Sequence, residues 1–165
     1  FAALARRVLE RTDHSVVLVG SSGEREHTRA VLAASGGSGS RIVELAGLLS
    51  LGELSALFER ADAVVSNDSG PMHLAAAQGA PTLGLFGPET PQMYRPLGPR
   101  AEALYRPTVC SPCINVHDAK ALSCIHGQPE CLMRIEVEGV LKGARALIAA
   151  QGERKEEVPA CASSS

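Results

Sequence analysis

The 165-residue sequence has no tryptophan, only two tyrosines and three phenylalanines. Platforms for stacking bases or sugar rings are therefore scarce, and a ligand has to be recognised through polar groups. A surplus of one charge is missing too: sixteen Lys+Arg stand against eighteen Asp+Glu, a formal net charge of −2. Nucleic-acid binders cluster basic residues against the phosphate backbone, so no nucleic-acid partner is expected. No apolar run approaches the roughly 18 residues of a membrane span. The opening FAALARRVLERTDH is amphipathic and lacks the apolar core and cleavage site of a signal peptide, so a cytoplasmic location is expected. In that compartment the five cysteines are expected to be thiols or ligands rather than disulfides. Neither G-x-G-x-x-G nor a Walker sequence occurs. An initiator Met is also lacking, and Phe1, Leu4, Ala5, Val8 and Leu9 already fall at helical spacing. The chain is expected to be a piece of a longer protein.

What is present is a 45% apolar share, enough for a core. After the opening helix, Val16 to Val19 form a continuous apolar run closed by Gly20, the pattern of a strand buried on both faces. Ser21 to Gly23 make a turn, Glu24 to Ala34 a helix, and Ser35 to Ser40 a flexible loop. Arg41 to Leu45 fit a short strand. Ser50 starts a helix with Leu51, Leu54, Leu57 and Phe58 as its stripe, Glu53 completing a capping box. Ala63 to Val65 form a buried strand, Pro71 to Gln78 a short helix stopped by Gly79 and Pro81, and Thr82 to Phe86 another strand. Such alternation predicts βαβ units and a parallel sheet with helices on both faces, a Rossmann-like α/β fold. From about Gly87 to Pro129 the pattern breaks into Pro-, Gly- and Cys-rich loops, before a last helix bearing Val137, Val140, Leu141, Ala144, Leu147 and Ile148. One domain over residues 1–150 and a disordered tail over 151–165 are expected.

In open parallel sheets, ligands bind beyond the carboxyl ends of the strands, where loops lead into helix amino ends. Val64-Val65-Ser66-Asn67-Asp68-Ser69-Gly70-Pro71-Met72-His73 is such a junction. Pro71 suits the first helical turn, Asp68 or Ser69 can cap it, and Gly70 permits close approach. The free amides favour a phosphate, whereas Asp68 would repel one and belongs on sugar hydroxyls or backbone amides. The same residues also make an ordinary helix-start turn, and His73 in an Ala-rich helix fits a packed core histidine. Spacing leaves these alternatives open.

Asn67-Asp68-Ser69-Gly70-Pro71-Met72-His73-Leu74-Ala75-Ala76-Ala77, then Gly79-Ala80-Pro81 and Leu85-Phe86-Gly87-Pro88, resembles the C-terminal signature of glycosyltransferase family 9, the ADP-heptose:lipopolysaccharide heptosyltransferases. Val19 to Glu26, Ala46 to Leu51 with Glu53-Leu54, and Cys110-Ser111-Pro112-Cys113 with Cys131 and Arg134 are similar to further family segments, so that the likeness covers nearly all of residues 1–150. The resemblance implies the C-terminal, donor-binding half of a GT-B glycosyltransferase. Its partners would be ADP-heptose and, through an N-terminal domain absent here, the lipopolysaccharide core/lipid A acceptor. The place of action would be the cytoplasmic face of the inner membrane, with peripheral association of the parent. By the resemblance Glu26 contacts ribose hydroxyls, Asp68 the donor sugar, the Ser69 and Gly70 amides the diphosphate, and His73 lies near the donor pocket. Residues near Leu49 line the adenine site. No cofactor is implied. The catalytic base, an Asp of the missing domain, and a first strand with a basic diphosphate contact would lie before Phe1, so no catalytic residue is expected in this chain and the chain alone should be inactive. The CSPC pattern leans towards second-heptose transfer.

Cys110-x2-Cys113-x10-Cys124-x6-Cys131, with His117 and His126 interspersed, invites a metal reading, but the second pair lacks the usual zinc spacing and no metal ligand is assigned. The plainer reading is a thiol-containing loop over the sheet edge, with Cys161 incidental in the tail. Two rival functions stand beside the heptosyltransferase: another nucleotide-sugar GT-B enzyme, such as a different sugar transferase or an epimerase, and a non-enzymatic metal-binding or interaction domain centred on the cysteines.

Overall fold

The computed structural model describes residues 1–36, 41–113 and 124–156. Most of the glycine-serine loop (37–40), His117 and Cys161 lie outside the described residues. Two compact units divide the chain, Phe1–Leu57 and Phe58–Ser165.

The first unit holds helix α1 (Ala2–Arg11), strand β1 (Val16–Leu18), a 3-10 turn (Ser22–Glu24), helix α2 (Arg25–Ala34), strand β2 (Ile42–Glu44) and most of helix α3 (Leu51–Glu59). Strands β1 and β2 pair in parallel, with Val16 opposite Ile42 and Val17 opposite Val43. The continuous apolar run suggested burial on both faces, but only one face is covered: Ile42 is buried, while Val17 and Val43, side by side on the opposite face, are 39% and 45% exposed. Arg41 secures the end of α1. Its guanidinium donates to the carbonyls of Leu9 (2.6 Å) and Thr12 (2.7 Å), groups that have no partner within the helix and lie at the negative end of its dipole. Gly47 is required by both backbone and space. Its φ is +67°, and a Cβ there would stand 2.6 Å from the Ser22 Cα.

The second unit contains β3 (Val64–Asn67), α4 (Gly70–Ala77), β4 (Thr82–Phe86), α5 (Pro91–Tyr94), β5 (Ala101–Tyr105), α6 (Glu130–Met133) and α7 (Val137–Glu156). Its sheet is parallel, in the order β3-β4-β5. Strand β4 is central and nearly all buried; β3 lies at an edge, which leaves Val64 and Val65 half-buried. A Cβ on Gly84 would meet Met72 of α4, whereas the neighbouring Leu83 meets Gly143 of α7. Adjacent strand residues face opposite ways, so α4 and α7 cover opposite faces of the sheet. The end of α4 is a Schellman closure: Ala80 N–H donates to Ala75 O (3.1 Å), Gly79 N–H to Ala76 O (2.9 Å), and Gly79 takes φ +75°. Arg100 donates to the Gly79 carbonyl as well.

Strand β5 and the short helix α5 fall where unbroken loops were expected, and α6 begins just past that stretch. The reason for β5 is pairing: its Ala-Glu-Ala-Leu-Tyr is a weak strand pattern, fixed by its ladder to β4 over Thr82–Phe86. Helix α7 continues past Gln151, where the tail is expected to begin, through Glu156; residues 157–165 lie outside the described residues. No helix among the described residues is long and apolar enough to cross a membrane.

Candidate functional site

The carboxyl end of β3 runs directly into α4. Ser69 takes the cap position with extended backbone (φ −162°, ψ 163°), yet neither its side chain nor that of Asp68 caps the helix. Its hydroxyl turns back instead, to the Ser66 hydroxyl (3.0 Å) and the Asn67 carbonyl (3.2 Å). The first turn closes only through Ser69 O, which accepts from Met72 N–H (3.1 Å) and, at 3.5 Å, from His73 N–H. With Pro71 contributing no donor and no side chain capping it, the amino end of α4 is a small positive pole. A Cβ on Gly70 would meet nothing within 4 Å, so packing within the chain does not demand glycine there; the space beside it is open.

Asp68 is half-buried and His73 exposed, with His73 Nε2 3.9 Å from Asp68 Oδ1. Burial pushes the Asp68 carboxyl above its ordinary range, and the His73 imidazole pulls the other way. The exposure of His73 rules out the packed-core alternative. Asp68, Ser69, Gly70 and His73 thus come together on one turn: hydroxyl-accepting carboxylate, backbone amides and imidazole.

Beside β3 in the sheet, β4 ends in Gly87-Pro88-Glu89. Glu89 Oε1 is buried without a hydrogen-bond partner among the described residues. A buried carboxylate oxygen in that condition is costly unless something donates to it. Sequence reasoning missed Glu89; the available signal was a carboxylate just past a buried strand, at the end where ligands sit. The four described cysteines, Cys110, Cys113, Cys124 and Cys131, are free thiols. Desolvation and then the neighbouring Cys110, Cys131 and Cys124 push the Cys113 thiol up.

Glu26 belongs to the first unit. It is exposed in the first turn of α2, and its neighbour Arg25 is anchored by a fork of hydrogen bonds to Ala46 O (3.0 and 2.9 Å). Glu44 accepts from the Thr28 hydroxyl and from Ala46 N–H, both at 2.8 Å, and these bonds hold its carboxyl low. They set the loop of Ala46 and Gly47 ahead of Leu49.

A family model described as glycosyltransferase family 9 (heptosyltransferase) matches residues 1–123. Lipopolysaccharide heptosyltransferase 2 of Escherichia coli is 30% identical over 149 residues, covering 90% of this chain and 41% of that protein. Its counterpart from Salmonella typhimurium is 29% identical over 153 residues, covering 92% and 42%. Among solved structures, E. coli ADP-heptose lps heptosyltransferase II superposes with a TM-score of 0.73 at 27% identity, over 92% of this chain and 41% of that one. A family 9 glycosyl transferase from Veillonella parvula gives a TM-score of 0.70 at 28% identity, over 91% and 40%. The chain spans about two fifths of the length of these relatives, and its parallel sheets with flanking helices match the fold of the family's structures.

Proposed function

The chain belongs to glycosyltransferase family 9, and on that premise we propose that it is the donor-binding part of an enzyme transferring heptose from ADP-heptose to the lipopolysaccharide inner core. The observation that carries the reading is the uncapped amino end of α4 beside a half-buried Asp68. An anionic diphosphate fits the open amides of Ser69 and Gly70, because the helix dipole and unpaired N–H groups favour negative charge. Asp68 accepts hydrogen bonds from the sugar hydroxyls, a role in which its carboxylate does not face the phosphate. Glu26 does the same for the ribose, and His73 flanks the donor beside Asp68.

In the transfer, an acceptor hydroxyl attacks the anomeric carbon, the carbon–oxygen bond to the diphosphate breaks, and ADP leaves. The amides at α4 stabilise the charge that builds on the leaving oxygen, an interaction stronger in the transition state than in the ground state. The general base that takes the hydroxyl proton is assigned to the part of the relatives' length that this chain does not span. The acceptor is held there too, at the cytoplasmic face of the inner membrane.

The test is calorimetric titration of the chain with ADP and ADP-heptose, with UDP and GDP as controls. Selective heat with the adenine nucleotides is expected, weakened in Glu26→Gln for both and in Asp68→Ala mainly for the nucleotide sugar. A folded chain that binds no nucleotide, or one that takes all three nucleoside diphosphates equally, would refute the proposal.

A further inference from the structure

In the first unit, strands β1 and β2 end side by side, Leu18 opposite Glu44, and the loops beyond them are tied together. Leu45 N–H donates to Leu18 O and Gly47 N–H to Gly20 O, both at 2.8 Å. Between these two amides, Ala46 is fully buried and held at both of its backbone groups. Its N–H is taken by Glu44 and its carbonyl by the Arg25 guanidinium fork (3.0 and 2.9 Å). Glu44 is itself set by the Thr28 hydroxyl (2.8 Å). Arg25 and Thr28 stand three residues apart on one face of α2, so a single helix face brackets the loop.

The bracketed loop keeps one donor open. Leu48 N–H turns back to Leu45 O (3.1 Å) and Ser50 N–H to Glu53 (2.8 Å), so that from Leu45 to Ser50 only the Leu49 N–H has no partner among the described residues. Leu48 and Leu51, on either side of it, are exposed. An open amide between apolar side chains, at the carboxyl end of parallel strands, suits a flat ring with a polar edge. Glu26 follows Arg25 in the first turn of α2, and the fork therefore fastens that turn to the loop carrying Leu49. In a nucleotide one bond joins ribose to base, and the groups that read the two have to keep one spacing.

Given the donor-binding role proposed above, in which Glu26 takes the ribose, we propose that Arg25 is a positioning residue for the nucleotide: with Thr28 and Glu44 it sets the loop of Ala46 to Leu49 at the distance from Glu26 at which that loop reads the base. Without the fork the buried Ala46 carbonyl loses both its donors, and the loop has to move to rehydrate it. Glu26 stays where α2 puts it. The ribose contact then survives while selectivity for the base is lost. Lysine restores one donor without the planar fork that fixes direction. Arg41 provides the contrast, because its similar fork to the carbonyls of Leu9 and Thr12 closes the end of α1 and carries no ligand-reading segment.

The test titrates the full chain and its variants calorimetrically with ADP, GDP and UDP, with urea unfolding followed by circular dichroism alongside. Arg25→Ala should keep the spectrum of the parent, lose ADP affinity on the order of 10-fold and keep its weaker affinity for GDP and UDP, so that the preference for adenine disappears. Arg25→Lys should fall between, and Thr28→Val, which removes only the hydroxyl that sets Glu44, should lose less in the same direction. Arg41→Ala should unfold at lower urea yet keep the full preference for ADP. A parent that binds no nucleotide, or all three alike, would refute the donor-binding reading and this assignment with it. A parent selective for ADP whose preference is kept in Arg25→Ala, or whose affinity for all three nucleotides falls alike in that variant, would overturn the positioning role alone and leave donor binding standing. Should Arg25→Ala fail to fold, an unchanged preference in Arg25→Lys and Thr28→Val would overturn it equally.

Discussion

Gly84 lies in the centre of β4, and its missing side chain is what lets α4 sit down on the sheet. A methyl group there would stand 2.6 Å from Met72 Sδ, 2.8 Å from Phe86 Cε2 and 3.3 Å from Pro96 Cδ. Met72 and Phe86 are fully buried. Forcing a methyl into such a site costs about 1–3 kcal/mol, from which roughly 0.5–1 kcal/mol is recovered because alanine is less flexible than glycine in the unfolded chain. Gly84→Ala should therefore lose about 1–2 kcal/mol. Met72→Ala removes a buried side chain and leaves a cavity, for about 2–5 kcal/mol. Combined, the new methyl has no sulfur to collide with and fills part of the space the sulfur left, so the double variant should be more stable than the sum of the singles by about 1 kcal/mol.

Urea unfolding followed by circular dichroism, with hydrogen exchange read on peptides covering residues 82–86, measures the four corners of this cycle. Additivity within about 0.3–0.5 kcal/mol would refute the packing account, as would Gly84→Ala with wild-type stability. A functional readout accompanies it. Because the Ser69 and Gly70 amides ride on α4, Gly84→Ala should also weaken ADP binding, and Met72→Ala on top of it should restore part of the loss.

Two further outcomes follow from the charged groups. The Asp68 carboxyl is raised by burial, so the fold binds its proton more tightly than the unfolded chain does. Its ionisation destabilises the fold as pH rises through the ordinary carboxylate range towards the raised folded value. Asp68→Asn should accordingly be more stable than the parent at pH 7, with the gap closing as pH falls below that range; urea midpoints at pH 7 and pH 3 measure it, and a gap that widens in acid would contradict the sign. Glu89 Oε1 has no partner in its buried site. Glu89→Gln should bind the nucleotide sugar less tightly while ADP affinity is unchanged; equal affinities for both ligands before and after substitution would remove Glu89 from the site.

How far the sequence could be read depended on whether a feature was local. The Ser50–Glu53 capping box is written in adjacent residues and is present, with Ser50 N–H and hydroxyl donating to Glu53 at 2.8 and 2.6 Å. Strand β4 was legible because burial on both faces leaves an uninterrupted apolar run. Strand β5 was not, since its ladder partner is separated from it by α5 and its own residues alternate weakly. Val17 and Val43 show the converse: apolar composition predicts burial, but only packing decides which face is covered. Asp68, Ser69, Gly70 and His73 could be read as one candidate site because they sit on one contiguous turn. Glu89 became visible only once parallel pairing set the end of β4 beside the end of β3.

The helix starts differ in whether their caps are closed. At Ser21–Glu24 the Glu24 carboxylate accepts from Ser21 N–H (2.8 Å) and hydroxyl (2.7 Å), and both bonds hold it low. Ser50 and Glu53 make the same closure before α3, and there too the carboxyl is held low. The chain therefore contains serine caps with partnered carboxylates. At α4 the same residue type is present, but Ser69 directs its hydroxyl back to Ser66 and Asn67, and the adjacent Asp68 is raised rather than lowered. Helix propensity would favour capping there as well, so leaving the amides open sacrifices stability of about 1 kcal/mol. Departures of this kind, where a satisfied local solution is available and unused, concentrate at functional sites. The unpartnered Glu89 oxygen lies at the end of the neighbouring strand. Open donors and a desolvated carboxylate at β3, with an unsatisfied acceptor at β4, are the groups that the proposed donor, a diphosphate carrying a polyhydroxylated sugar, would use.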